Sequence, residues 1–179
     1  MRWSLWKGRP WRASSEAPVA WRLSLALEIT TQVASGLAAV HKQNLVHRDI
    51  KPSNIMVSLE EGGAVTAKII DLGLAKALNE PLSEAGISIP GIFAGTPEFA
   101  SPEQFGGMSV DVRSDLYSLG VTLWEMLSGR APFRGSATEV MYQHQHVPLP
   151  VEHLEGIPQP LYGRGSSMRM PVNRYRTPV

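Results

Sequence analysis

The run His47-Arg48-Asp49-Ile50-Lys51-Pro52-Ser53-Asn54 sets a carboxylate, an ammonium and an amide oxygen on one short stretch. Seventeen residues after Asn54, a second carboxylate opens the triplet Asp71-Leu72-Gly73. Asp49 can accept the proton of a hydroxyl, and Lys51, two residues on, can stabilise developing negative charge. Asn54 and Asp71 supply hard oxygen atoms, the kind that Mg²⁺ takes while keeping several waters. Together these are the parts needed to move a phosphoryl group onto a hydroxyl, which depends on positioning and charge neutralisation more than on covalent help. Taken singly, Asp49 and Lys51 read as a solvated ion pair and Asp71-Leu72-Gly73 as a turn. Their order and spacing argue for the joint reading.

Such residues need elements to hold them. Ile29, Val33, Leu37 and Val40 recur at spacings of three and four, which predicts an amphipathic helix over 23–42 leading into the loop. Two strand-like segments follow, 55–57 and 67–70, with Glu61-Gly62-Gly63 as their turn. Residues 71–103 contain scattered Gly, Pro and Ser and read as a long functional loop. The segment 114–128 is apolar on nearly all sides, as a fully buried helix is; Gly129 caps it and Pro132 prevents its continuation. Ser136-Ala137-Thr138-Glu139 is a capping box that opens a short helix to about His146. His144 and His146 lie about 200° apart on a helix and cannot share a metal ion, so both read as surface histidines.

The composition narrows the class. The chain has 179 residues and no cysteine, so it carries no disulfide and no thiolate chemistry, which fits a cytoplasmic protein. The sequence reads as having no apolar stretch long enough for a transmembrane helix and no signal peptide. Charge is uneven. Residues 1–22 hold five Lys/Arg and one acid, and 161–179 hold four Arg and no acid; residues 23–160 hold eight basic and fifteen acidic side chains. Three pieces follow: a basic Trp/Arg-rich segment, 1–22, read as poorly ordered; a partial domain, 23–160; and a basic irregular tail, 161–179. The two ends read either as irregular termini or as sequence translated in a shifted frame. No nucleic-acid partner and no membrane span is expected.

The loop, the Asp-Leu-Gly triplet and Gly95-Thr96-Pro97-Glu98-Phe99-Ala100-Ser101-Pro102-Glu103 together resemble the eukaryotic-type serine/threonine protein kinases, most closely the bacterial ones, over about 25–161. Lys51 followed by Pro52 is similar to the serine/threonine class, and Leu72 replaces the family's usual phenylalanine. The resemblance implies a mainly α fold: a protein-kinase-like C-terminal lobe with a short β-hairpin at the catalytic loop, truncated at both ends. It implies catalytic roles for Asp49, Lys51 and Thr96, nucleotide binding by Lys51, Asn54, Met56 and Asp71, and metal binding by Asn54 and Asp71. ATP, Mg²⁺ and a protein substrate follow as partners. Asp115 would hold the catalytic-loop backbone, Arg48 would receive a phosphate on Ser83 or Ser88, and Glu103 would lack its usual arginine.

The family's glycine-rich loop, strand lysine and helix glutamate have no counterpart among the 46 residues before His47, and no G-x-G-x-x-G occurs in the sequence. The expectation is therefore an N-terminal lobe that is absent or supplied by a separate chain, and low activity of the chain alone. The alternatives are a catalytically dead kinase-like binding module and a gene remnant.

Overall fold

The computed structural model describes residues 2–5, 19–60, 63–71, 76–77, 95–105, 109–154 and 156–158. Leu72, Gly73, Ser83, Ser88, most of the 71–103 loop, the 61–62 turn positions and the 161–179 tail lie outside the described residues. The longest element is helix α1, Val19–His41. It starts four residues before the sequence expectation. Leu25, Ala26, Ile29, Val33 and Leu37 are buried along one stripe, which packs on the strand Val65–Ile69 and the helix Val112–Ser128. On the polar side Thr30, Thr31 and Ser35 donate their hydroxyls to the carbonyls of Ala26, Leu27 and Thr31, sharing acceptors with the helix ladder. By length and composition alone, Arg22–His41 is long and apolar enough to cross a membrane. The sequence expectation of no stretch long enough is corrected on that criterion: Glu28 and the interspersed Ser and Thr interrupt the apolar run without lowering its mean hydropathy enough to exclude it.

The expected hairpin forms. Strand β3, Ile55–Leu59, pairs antiparallel with β4, Val65–Ile69, in the register Ile55↔Ile69 and Val57↔Ala67. Strand β1, Arg2–Leu5, adds to the far edge of β3, so the sheet order is β1-β3-β4. Within the basic segment 1–22, regular structure is described at residues 2–5 and, as the start of α1, at 19–22. An unpaired strand edge is a row of donors and acceptors that recruits any extended segment within reach. The opposite edge, on β4, is closed by one side chain: Gln32 donates to the Val65 carbonyl at 2.8 Å and accepts from the Ala67 amide at 2.7 Å. A second ladder pairs β2, Leu45–Val46, with β5, Lys76–Ala77. It returns the chain beyond Asp71 to the strand that precedes His47.

Helix α2 is a single turn, Pro102–Phe105. Helix α3, Val112–Ser128, is capped by the Asp111 side chain at one end and by Gly129 at φ 79° at the other. Gly129 takes that left-handed conformation without a Cβ clash and donates to the Glu125 carbonyl. Most of α3 is buried, with Ser118 and Thr122 bonded to carbonyls four residues back, yet Leu116 is 53% exposed, so it is not enclosed on all sides. Helix α4, Ala137–His146, opens on the expected capping box of Ser136 and Glu139. Beyond Pro150 a 3-10 turn at Val151–Leu154 buries Leu154.

His144 corrects the sequence expectation of two surface histidines. His146 is exposed, but His144 is 4% exposed and sits among the rings of Phe105, Tyr117 and Phe133. The angular argument that forbids a shared ion also sends the two rings to opposite sides of α4, and one of those sides is the core.

Two outcomes follow for stability. Ile29→Ala opens a cavity at a site 1% exposed and should lower unfolding free energy by about 2–5 kcal/mol in urea titration. Leu116→Ala should stay within about 0.5 kcal/mol. Burial pushes the His144 imidazole down to about 4 from its ordinary 6.5, against the pull of the Glu98 and Pro97 carbonyls. The unfolded chain therefore takes up a proton between those values that the folded chain refuses. Stability should be fully present above pH 6.5 and decline toward pH 4 by on the order of 2–3 kcal/mol, a slope that His144→Phe should flatten.

Candidate active site

The loop between β2 and β3 is shaped by a carboxylate from α3. Asp115 is completely buried, and its Oδ2 accepts from the His47 amide at 2.9 Å while Oδ1 accepts from the Arg48 amide at 2.8 Å. His41, in the last turn of α1, adds its Nε2 at 2.8 Å to Oδ2. Three donors converge on one buried charge, as a buried carboxylate requires. Arg48 adopts φ 68°, a left-handed conformation unusual for a side chain with a Cβ. Its carbonyl accepts from Gln104 Nε2 at 2.9 Å, and the next amide, of Asp49, donates to His47 Nδ1 at 3.3 Å. Both faces of the peptide leading into Asp49 are thus held by side chains. Gln104 also accepts through Oε1 from the Ser101 amide and hydroxyl, so one residue ties the 95–105 segment to the loop.

The chemical groups meet on this frame. Lys51 Nζ lies 2.8 Å from Asp49 Oδ2 and donates to Thr96 Oγ1 at 2.9 Å. Pro52–Asn54 form one 3-10 turn, Pro52 occupying a position where its missing N–H costs nothing. That turn brings Asn54 back beneath Asp49, and Nδ2 donates to both the Asp49 carbonyl and Oδ2 at 2.9 Å. With the amide hydrogens so used, Oδ1 is the Asn54 atom left for a cation. Asp71 is placed by its neighbour: the Ile70 amide donates to the Asn54 carbonyl at 2.9 Å. Asp71 is exposed, at φ 64°. Burial holds the His47 imidazole below its usual range, opposed by the carboxylates of Asp115, Asp49 and Asp71.

Asp49, Lys51, Asn54 and Thr96 are therefore joined by direct hydrogen bonds, and Asp71 follows a backbone bond to Asn54. Met56 is half-buried on β3, cross-strand from Lys68. Glu103, expected without its arginine, is buried and accepts the Ser114 hydroxyl hydrogen. His41, Gln104 and His144 were missed by the sequence reading. Only His41 carried a signal, as a cationic-capable side chain in a last helical turn.

A family model described as the protein kinase domain matches residues 16–159. The chain belongs to the protein kinase family. Its curated relatives include the serine/threonine-protein kinase pkn2 of Myxococcus xanthus, 44% identical over 129 residues, which are 71% of this chain and 15% of that protein. Another is the serine/threonine-protein kinase PknB of Mycobacterium leprae, 38% identical over 157 residues, 85% of this chain and 24% of that protein. Pkn1 of Myxococcus xanthus is 37% identical over 149 residues, 82% and 20%. The chain thus spans between 15% and 24% of the length of these relatives. These relatives are named serine/threonine-protein kinases, and kinases as a family use ATP and Mg²⁺. The helices and small sheets described above are a protein kinase fold in part.

Asp115→Asn tests the frame. Asparagine offers one acceptor where the carboxylate offers two, and points an N–H₂ at a backbone donor. Unfolding free energy should fall by about 3 kcal/mol in denaturant titration. Exchange of the His47 and Arg48 amides should quicken before that of the α3 core.

Proposed function

We propose that the chain carries the C-terminal-lobe part of an ATP-dependent serine/threonine kinase, with Asp49, Lys51 and Thr96 acting at the acceptor hydroxyl and Asn54, Met56 and Asp71 on the nucleotide side. The observation that carries this reading is the chain of contacts Asn54–Asp49–Lys51–Thr96, which puts a proton acceptor and a fixed cation side by side. Asp49 receives the proton of an incoming serine or threonine hydroxyl as its oxygen bonds to the terminal phosphorus and the bond to the leaving phosphate oxygen breaks. Lys51 faces the charge that develops on the transferring group, and Thr96 holds the ammonium from the other side. Little rearrangement is needed, because the three groups already lie within hydrogen-bond reach.

The donor set fits Mg²⁺. Asn54 Oδ1 and the Asp71 carboxylate are hard oxygens, and among the described residues there is no cluster of three or more His, Cys, Asp or Glu. A two-donor site suits an ion that keeps its waters and shares phosphate oxygens. When bound, Mg²⁺ neutralises phosphate charge; Asn54 and Asp71 are the residues that would hold it. Met56, on the strand that starts beside Asn54, supports the nucleotide base. A cytoplasmic setting, where ATP is abundant, suits this reading.

No glycine-rich loop occurs in the sequence, so phosphate anchoring in the isolated chain rests on Lys51 and the metal pair alone. Turnover on a generic basic protein acceptor with radiolabelled ATP should fall orders of magnitude below the roughly 1–100 per second of kinases, yet remain dependent on Asp49. Asp49→Asn should remove it. Asp71→Asn, chosen because asparagine tolerates positive φ, should erase any Mg²⁺-ATP thermal shift without changing the ligand-free melting temperature. Label transfer that survives Asp49→Asn, or that never rises above that background, would leave a kinase-like binding module as the better account.

A further inference from the structure

His144 is a buried polar group that the proposed chemistry does not use, and its two ring nitrogens are both engaged. Nε2 lies 3.2 Å from the Glu98 carbonyl, and a carbonyl only accepts, so Nε2 carries the proton. Nδ1 is then the acceptor, 2.7 Å from the Tyr117 hydroxyl that donates to it. The imidazole is neutral in this arrangement, in line with the depression of its pKa by burial. Ring centroids of Phe133 at 5.0 Å, Tyr117 at 5.6 Å and Phe105 at 6.0 Å fix its orientation. Three separate elements, α2, α3 and α4, thus aim one N–H at one carbonyl.

That carbonyl belongs to the 3-10 turn Pro97–Phe99, whose first flank is Thr96. The turn's own bonds are few: the Phe99 amide to the Thr96 carbonyl at 3.1 Å and the Ala100 amide to the Pro97 carbonyl at 3.2 Å. It is held from one end by Lys51 on Thr96 Oγ1 and from the other by His144 on Glu98. We propose that His144 is a positioning residue for phosphorylation of the protein acceptor: through the Glu98 carbonyl it fixes the turn that sets Thr96 against Lys51 and Asp49. This rests on the reading of Asp49 and Lys51 as the acceptor-side machinery. Asn54 and Asp71 are held by the hairpin rather than by this turn, and Asn54 meets it only through Asp49 and Lys51. Acceptor and nucleotide effects should therefore separate.

The test uses the full chain and three variants. His144→Phe combined with Tyr117→Phe removes both bonds while keeping the aromatic packing, so no hydroxyl is stranded. His144→Gln keeps an amide donor for Glu98. His144→Phe alone completes the set. Two readouts apply: amide exchange at Phe99 and Ala100, and label transfer to a generic basic protein with KM for Mg²⁺-ATP measured alongside. In the double variant, exchange at those two amides should accelerate and Asp49-dependent transfer should drop roughly ten- to a hundredfold, with KM for Mg²⁺-ATP rising far less than transfer falls. His144→Gln should restore most of both. Unchanged exchange at Phe99 and Ala100 overturns the anchor. Equal losses on the acceptor and nucleotide sides overturn the positioning role, and so does failure of glutamine to rescue. A wild-type chain without Asp49-dependent transfer sinks the reading of the site itself, whereas an active wild type matched by the double variant sinks only the role of His144.

Discussion

A carboxylate with no exposure to water must find donors inside the protein, and Asp115 finds three. The cost of leaving such a charge unpaired exceeds that of bending a backbone, so the chain at His47 and Arg48 turns its amides inward. Arg48 then accepts a left-handed φ. That turn in the backbone is what presents Asp49 toward Lys51 instead of toward solvent. The geometry of the site thus begins on a helix that contributes no group to the chemistry.

The rest of the site is assembled by short, local devices working from that fixed point. A proline-initiated 3-10 turn swings Asn54 under Asp49. One backbone bond from Ile70 to Asn54 delivers Asp71. Gln104 and the Lys51 ammonium bring in a segment some fifty residues downstream. None of these bonds exceeds about 1–3 kcal/mol, but each removes freedom from a group already constrained by another, so the arrangement is stiffer than a sum of separate contacts.

Much of this was legible in the sequence, for reasons that can be stated residue by residue. The groups proposed to react lie close in sequence, where spacing limits what they can do, and Asp71 sits at the end of a strand whose partner could be read. The capping box at Ser136 and the Gly129 stop are local signals and appeared where expected. Tertiary contacts were not legible. His144 and His146 look alike on paper, and only the core beneath α4 distinguishes them. Gln104 has no periodic or motif signature; its importance comes from two partners, one of them fifty-six residues away. The strand at Arg2–Leu5 depends on an open edge of β3, which a composition reading of the first 22 residues cannot see. The membrane-length stretch in α1 was set aside because polar residues are spread through it, although its mean hydropathy is high.

Gln32 illustrates how little material can terminate a β-sheet. Its amide presents one donor and one acceptor at the spacing of a neighbouring strand, so β4 meets a stand-in for backbone where another polypeptide could otherwise dock. Because the stand-in is carried by a helix that cannot itself add residues to the ladder, the sheet is made finite on that side. Among the described residues, lateral growth of this sheet, ordered or pathological, would proceed from the rim formed by Arg2–Leu5.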